Sequence, residues 1–150
     1  MKKSLIIIVI SVLVLIVVYT LFNSDAQIGN NDWSYSLPNN YEIWHINSEQ
    51  IVCGKKTSEH SIGENVGGYY VSEFCYDDKY ICLQCIPTYG EASDNTTKSQ
   101  TDFYIIDSST DKEYGPFTQT EFEDKLEELN LTNLCAWIKT KPRPEGAKFY

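Results

Sequence analysis

Cysteines are the residues of this sequence whose type and spacing come nearest to a chemical site. The chain has 5 of them, and Cys82-Leu-Gln-Cys85 has the spacing of redox and zinc motifs. Redox pairs of this form usually lie at a helix N-terminus, which lowers the thiol pKa. Here the pair falls in a predicted strand, where residues three apart point to opposite faces. A thiol redox protein is therefore an alternative and not the first hypothesis. The cysteines are Cys53, Cys75, Cys82, Cys85 and Cys135.

Cys75 and Cys82 are better placed to react with each other. If the turn between them centres on Asp78 and Lys79, the two cysteines face each other across a hairpin, and a register shift of one residue removes the pairing. We therefore predict a disulfide between Cys75 and Cys82. Because the number of cysteines is odd, at least one has no partner within the chain or bridges to another chain. A four-cysteine zinc site and buried thiols that pack as small hydrophobic groups are the alternatives.

Other catalytic arrangements find no support in the sequence. The 2 histidines are His45 and His60, and nothing in the sequence pairs either of them with a serine or cysteine nucleophile. Carboxylates are numerous, but a catalytic pair is defined by its spacing in three dimensions. We therefore predict that the protein is not an enzyme and that it holds no metal or other cofactor.

The N-terminus carries a hydrophobic stretch of 18 residues that begins at Leu5 and ends at Phe22. A helix of this length, at about 1.5 Å per residue, spans most of a hydrocarbon core of ~30 Å. Lys2 and Lys3 precede the stretch and point the N-terminus to the cytoplasm. We therefore predict a single-pass transmembrane helix as the membrane anchor, with the C-terminal domain outside the cytoplasm.

A cleavable signal peptide shares this topology and is the alternative. Ser24-Asp25-Ala26 offers a small-x-small cleavage site, after which the protein would be secreted. The hydrophobic stretch is longer than the about 7–15 residues of a typical signal peptide, which favours a retained anchor. A lipoprotein signal is excluded because the first cysteine is Cys53.

The chain beyond Phe22 is strongly acidic. Of 12 basic residues only Lys2 and Lys3 precede this point, so the remainder has 10 basic and 21 acidic side chains and a net charge of −11. Such a domain has no electrostatic footprint for nucleic acid and is repelled by anionic lipid head groups. We therefore expect no nucleic acid partner. A basic protein or peptide partner fits the charge, although solubility alone also explains it.

Alternating apolar and polar residues predict a series of short strands with turn residues between them. The clearest hairpin joins residues 69–76 to residues 80–86 through Asp77-Asp78-Lys79. Residues 54–68 and 87–100 are polar and are predicted as loops. The predicted strands are residues 33–37, 41–46, 50–53, 69–76, 80–86, 102–107 and 134–139.

One soluble helix is predicted to begin after Thr118. Thr118 and Glu121 have the spacing of a capping box, which satisfies backbone donors at the start of a helix. Phe122, Leu126 and Leu129 recur at i, i+4 and i+7 and form one apolar stripe for packing on a sheet.

Together these elements predict an α+β fold, in which a small antiparallel β-sheet carries one amphipathic helix on a face. The predicted organisation is a membrane anchor or signal peptide at residues 1–22 and a spacer at residues 23–32. An extracytoplasmic α+β domain follows at residues 33–140, and a flexible tail at residues 141–150.

Several local motifs resemble a known family. Residues 103–107 and the run Tyr114-Gly-Pro-Phe-Thr-Gln-Thr-Glu-Phe122 resemble a family of small bacterial exported lipoproteins and membrane-anchored proteins, known as a domain of unknown function. Residues 76–81 and 41–46 fit the same family, so the resemblance spans most of residues 33–137. Members often have a lipobox cysteine, in whose place this chain has a longer hydrophobic segment. The resemblance implies a bacterial exported protein and brings no catalytic residues.

A second resemblance is local. Residues 104–137, with a Gly-Pro-Phe sequence ahead of a helix, are similar to part of the GYF-like adaptor domains, which bind proline-rich peptides. The alternative is that the Gly-Pro pair only turns the chain into the helix and the Phe staples its start. The resemblance implies a partner-binding surface at Tyr104, Tyr114, Phe117 and Trp137.

The first functional hypothesis is therefore a membrane-anchored, extracytoplasmic domain that binds a partner or associates with the cell envelope and has no catalytic activity. A peptide-binding, adaptor-like module is the second hypothesis, and a thiol redox protein is the third. The membrane itself is the one partner that the sequence specifies, through the segment from Leu5 to Phe22.

Overall fold

The computed structural model describes residues 32–59, 61–68, 70–86, 101–131 and 136–149. The predicted anchor at residues 5–22, His60 and Cys135 lie outside these described residues. Within the described ranges, no helix is long and apolar enough to cross a membrane.

Ten short strands and one α-helix make up the described part of the chain. A 3-10 turn at Pro38–Asn40 separates the first two strands. In chain order the elements are β1 (Trp33–Ser36), β2 (Tyr41–Asn47), β3 (Gln50–Ser58), β4 (Ser61–Val66), β5 (Val71–Tyr76), β6 (Tyr80–Cys85), β7 (Asp102–Asp107), β8 (Lys112–Phe117), α1 (Gln119–Glu128), β9 (Ile138–Lys139) and β10 (Lys148–Phe149).

The strands form two antiparallel sheets of five strands each. The first sheet has the order β10-β1-β2-β3-β4, and the second has the order β8-β7-β6-β5-β9. Each sheet is a meander of hairpins to which one short C-terminal strand is added, β10 beside β1 and β9 beside β5. A single parallel bridge between Ile51 and Tyr70 links β3 to the residue before β5.

The larger core lies between the two sheets. Ile43 and Ile51 of the first sheet belong to the same buried cluster as Phe74 and Leu83 of the second sheet, and all four side chains are fully buried. Burial of each such side chain contributes about 1.5–3 kcal/mol to folding. This cluster is what holds the two sheets together.

A smaller core lies between the second sheet and α1. Phe122 of α1 is buried against Ile105 of β7, and Leu126 and Leu129 pack on the same cluster, as the predicted stripe requires. The predicted capping box is confirmed at the start of the helix, where the Thr118 side chain accepts a hydrogen bond from the backbone N–H three residues on and the N3 carboxylate accepts one from the Thr118 backbone N–H at 2.8 Å. The second sheet is thus the middle of three layers.

The predicted α+β fold with a single sheet is wrong, because the fold is mostly β and has two sheets with one helix outside them. Side-chain alternation identifies the two faces of each strand, but the choice of sheet depends on pairing between distant segments. In β6, Ile81 and Leu83 belong to the core between the sheets and Cys82 belongs to the core under α1. Such consecutive apolar residues are typical of a strand that is buried on both faces.

The predicted loop at residues 54–68 is also wrong over most of its length. β3 continues to Ser58, and β4 occupies Ser61–Val66 as an edge strand. Val66 is the only buried residue of β4. An edge strand with so little burial has no apolar alternation by which it could be recognised in the sequence.

The predicted flexible tail, residues 141–150, contains β10, which pairs with the first sheet. β10 pairs with β1, so that Phe149 lies opposite Trp33. The preceding residue of the predicted domain, Thr140, donates from its hydroxyl to the carbonyl oxygens of Val71 and Ser72 at 2.9 Å each. These hydrogen bonds attach the start of the C-terminal segment to β5. The proline-rich sequence of that segment does not predict a strand.

We expect the core between the sheets to dominate stability. Ile43→Ala should lower the free energy of unfolding by about 2–5 kcal/mol, because it removes a fully buried side chain from a packed core. Ile46→Ala on the same strand is the matched control and should change it by no more than about 0.5 kcal/mol, because Ile46 is 44% exposed. Denaturant unfolding followed by tryptophan fluorescence measures both values. Equal effects of the two substitutions would contradict this assignment of the core.

Candidate functional site

The four aromatic residues predicted as one partner-binding surface lie on two different faces of the second sheet. Tyr114 and Phe117 pack on the cluster under α1, and Trp137 contacts rings of that cluster. Tyr104 instead packs on the core between the two sheets. Side chains alternate along a strand, so Tyr104 points away from the face that Ile105 presents to the helix.

Tyr104 fits closely against two glycines. Gly67 has a φ angle of +77°, and a Cβ atom added there would lie 3.1 Å from the Tyr104 ring. Gly115 has a φ angle of +125°, and a Cβ atom added there would lie 2.9 Å from the same ring. Burial raises the pKa of the Tyr104 hydroxyl above its ordinary value. Tyr104 is therefore a packing residue and is not available to a partner on the helix side.

Tyr114 and Phe117 are half-buried walls of the helix core. The ammonium groups of Lys112 and Lys125 lie 4.7 Å and 5.0 Å from the centre of the Tyr114 ring, one from the strand and one from the helix. These cations cover the ring that was predicted to face a ligand. Of the four predicted aromatics, Trp137 is the one that remains substantially open, with 37% exposure.

Trp137 opens into a cleft of about 590 Å³ beside α1. Its aromatic floor is formed by Phe103 of β7 and Phe122 of α1, whose rings stack with centroids 4.9 Å apart. The Trp137 ring lies 6.4 Å from Phe103 and 6.0 Å from Phe122. The volume is within the range of small-molecule and peptide pockets. The lining residues are Gln84, Thr101, Phe103, Gln119, Phe122, Glu123, Leu126 and Trp137.

Sequence reasoning missed Phe103 and assigned Phe122 only to the core. Phe103 stands two residues before Ile105, so strand alternation places both on the helix side of β7. The predicted aromatic set took Tyr104, its neighbour on the opposite face. The signal that could have found Phe103 was therefore present, in the same alternation that predicted the strand.

Residues 38–137 match a family model described as a protein of unknown function, DUF3997, which covers two thirds of the chain. The chain belongs to the DUF3997 family. No curated protein and no solved structure matches it. The match confirms the expected membership of a domain family of unknown function.

The cleft lies wholly within the DUF3997 segment. Its lining residues run from Gln84 on β6 to Trp137, and Trp137 is the last matched position. β1, β9 and β10 are outside the matched range. The DUF3997 match therefore contains the helix, its supporting strands and the whole candidate site.

The register of the DUF3997 hairpin places two cysteines as the sequence predicted. Cys75 and Cys82 are directly opposite each other on β5 and β6. The Asp77 carboxylate accepts hydrogen bonds from the backbone N–H groups of Lys79 and Tyr80, at 2.8 Å and 2.6 Å, which holds the turn that sets this register. The disulfide between the two cysteines stays a prediction.

Cys82 and Cys85 do not form a common site. Cys82 lies in the core under α1, whereas Cys85 lies in the core between the sheets with Cys53, and all three are buried. Burial raises the pKa of Cys85 to about 12 and raises the pKa of Cys53 further above its ordinary value. Neutral, buried thiols are poor nucleophiles. Cys82 and Cys85 are buried on opposite faces of β6, so neither side chain is accessible for redox exchange as a pair.

The described part of the DUF3997 protein contains no group of three or more His, Cys, Asp or Glu side chains that could hold a metal ion. The four-cysteine zinc site therefore finds no convergent ligands among these residues. Opposite orientations on β6 separate two of its proposed sulfur atoms.

We expect a Cys75–Cys82 disulfide in the DUF3997 domain when it is produced in an oxidising compartment. Directly opposed residues have Cα atoms about 4.5–5.5 Å apart, which is within the range that a disulfide spans. Peptide mapping by mass spectrometry without reductant should recover one linked peptide pair that contains both cysteines. Cys75→Ser should abolish this link, and Cys53→Ser should leave it intact. Recovery of Cys75 linked to any other cysteine, or of no link, would contradict the prediction.

Proposed function

We propose that this DUF3997 domain is a non-catalytic binding module that takes an extended peptide segment into the cleft beside α1. The observation that carries the proposal is the cleft in which the Trp137 ring is exposed and the Phe103 ring is half-buried, above the buried ring of Phe122. The Trp137 ring is 37% exposed and packs edge-on to the half-buried Phe103 ring, so apolar surface stays accessible inside the cleft.

The chemistry of the cleft favours a peptide with apolar and proline residues. Extended polyproline segments dock on aromatic grooves, because their rings lie flat on aromatic faces and little conformational entropy is lost. Their carbonyl oxygens need hydrogen-bond donors, which the amide of Gln84 and the hydroxyl of Thr101 supply at the rim.

The charge of the cleft favours a basic residue in that peptide. Glu123 lines the rim and is exposed on α1, and its carboxylate accepts a hydrogen bond from the Gln119 side chain at 3.0 Å. The chain beyond Phe22 has a net charge of −11, which steers basic partners toward the domain. Glu123 therefore gives the helix side of the cleft a negative charge.

We expect Trp137→Ala to weaken peptide binding at least about tenfold, because exposed aromatic anchors carry most of the binding energy in such sites. The probe is a displayed library of short peptides rich in proline and arginine, and the affinity of selected peptides is measured by fluorescence anisotropy. Ile46→Ala, which removes another exposed apolar side chain on the first sheet, should leave affinity within about twofold. Thermal unfolding of each variant confirms that the fold is retained.

Two results would overturn the peptide proposal. One is selected peptides that bind equally to the wild type and Trp137→Ala, which would place their site elsewhere. The other is failure to select any peptide that depends on Phe103 or Trp137, which would leave the three rings as the cover of the helix core.

We also propose that the domain works on the outer side of the cytoplasmic membrane of a bacterium, held there by the segment from Leu5 to Phe22. The support is the sequence itself, an 18-residue apolar run behind two lysines. Secretion after cleavage near Ala26 is the alternative location.

We expect Leu13→Arg to move the protein out of the membrane fraction, because a charge at the middle of an apolar span costs about 2.5–3.5 kcal/mol of insertion free energy. Leu13→Ala is the control and should stay in the membrane pellet after an alkaline wash. Protease added to spheroplasts should digest the wild-type domain. A domain that stays protected until the cells are lysed would contradict the orientation, and an N-terminus found just after Ala26 would show the secreted alternative.

A further inference from the structure

A second cavity, of about 350 Å³, lies against β1 and β10 of the first sheet. Its size is at the lower end of the range for small-ligand sites. Only one of its six lining residues, His45, falls within the range that matches the DUF3997 family. The lining residues are Trp33, His45, Thr140, Lys141, Arg143 and Phe149.

The segment that forms this cavity reverses the charge of the rest of the chain. Residues 139–148 contain four of the 10 basic side chains that follow Phe22 and a single acidic one, Glu145. Two of the four basic side chains line the cavity. The basic side chains are Lys139, Lys141, Arg143 and Lys148.

Arg143 lines the cavity, and the N–H donors of its guanidinium are not used within the described residues. Its Cζ atom lies 3.8 Å from the centre of the Phe149 ring, so the guanidinium packs against an aromatic face. Within the described part of the chain it makes no hydrogen bond and no ion pair. The contact with Phe149 holds the guanidinium in place, and its N–H groups remain available to an acceptor. A guanidinium held in this way can donate two parallel hydrogen bonds, like the two prongs of a fork, to a phosphate or carboxylate.

Lys141 adds a second positive charge. Its ammonium donates to the Ser48 carbonyl oxygen at 2.9 Å and lies 5.0 Å from the centre of the Tyr70 ring. An ammonium has three donors, so one such bond leaves donors for a ligand oxygen. Two cations at one cavity favour a group with more than one negative oxygen.

His45 is a buried polar residue in the wall of the cavity. The residue is 8% exposed, and its ring stacks on Trp33 with centroids 5.5 Å apart and planes at 17°. Its Nδ1 atom is buried and has no hydrogen-bond partner among the described residues. The Asp32 carboxylate, 3.9 Å away, is too distant for a hydrogen bond. A buried polar atom left without a partner costs about 1–3 kcal/mol.

We propose that this cavity binds the phosphate group of a phosphate ester. The fork of Arg143 grips two phosphate oxygens, and the ammonium of Lys141 neutralises the remaining negative charge. The ring side chains of Trp33, His45 and Phe149 form walls for the apolar body of the ester. This site is separate from the peptide cleft and does not depend on it.

The test uses 4-fluorophenyl phosphate as the probe and the full chain in dodecyl maltoside micelles, whose head groups carry no phosphate. Ligand-observed ¹⁹F NMR should show saturable binding to the wild type. Arg143→Gln should weaken this binding at least about tenfold, because hydrogen bonds between charged groups are the strong ones. Arg143→Lys keeps the charge without the fork and should lie between the two.

Lys148→Gln is the matched control, because it removes the same charge from the same segment and Lys148 does not line the cavity. It should change the affinity less than about twofold, since a surface charge away from the ligand is screened by salt. An equal loss in Lys148→Gln and Arg143→Gln would overturn the proposal in favour of diffuse charge attraction. Absence of saturable binding to the wild type would overturn it as well.

A second arm distinguishes the two sources of a phosphate ester. The same titration is repeated in mixed micelles that contain phosphatidylglycerol, at a high ionic strength that screens their surface charge. Loss of probe binding there, with recovery in dodecyl maltoside alone at the same ionic strength, supports the site and assigns it to a lipid head group. Equal binding in both supports the site and assigns it to a soluble phosphate ester.

Discussion

Burial of the second sheet on both faces is the constraint from which the rest of this structure follows. β6 and β7 place successive apolar residues on opposite sides, so that Ile105 packs under the helix and Ile106 packs against the first sheet. Neither face can be left to water without exposing a continuous apolar surface. One face therefore requires a second sheet, and the other requires an amphipathic helix. The two hydrophobic clusters, and the three layers, are consequences of this single requirement.

Both candidate sites lie where a sheet is only partly covered by the element that packs beside it. α1 covers only part of its face of the second sheet, and beside the helix Phe103 and Trp137 line an open cleft. At the first sheet, the C-terminal segment brings Arg143 and Phe149 to the same cavity as the buried His45. The two sites differ in chemistry because the elements around them differ in charge. The helix contributes acidic side chains, whereas the C-terminal segment contributes basic ones.

Local features were predictable because they depend on residues close together in the chain. The capping box of Thr118 needs only the residue three positions on, and the opposition of Cys75 and Cys82 needs only the hairpin turn. The strand β4 and the strand β10 could not be found in this way. Their side chains are mostly exposed, and pairing with a neighbouring strand, which periodicity does not encode, is what makes them strands.

The amino-acid sequence by itself determined the acidic character of the domain, the apolar stretch from Leu5 to Phe22, the helix with its cap and the hairpin with its register. Each of these is a property of composition or of spacing along a few residues. Only the tertiary structure decided that there are two sheets, that Tyr104 points away from the cleft that Phe103 lines, and that Arg143 and His45 line one cavity. These facts rest on contacts between segments that are far apart in the chain. The pairing of strands and the burial of their faces select such contacts, and neither is written in any single stretch of sequence.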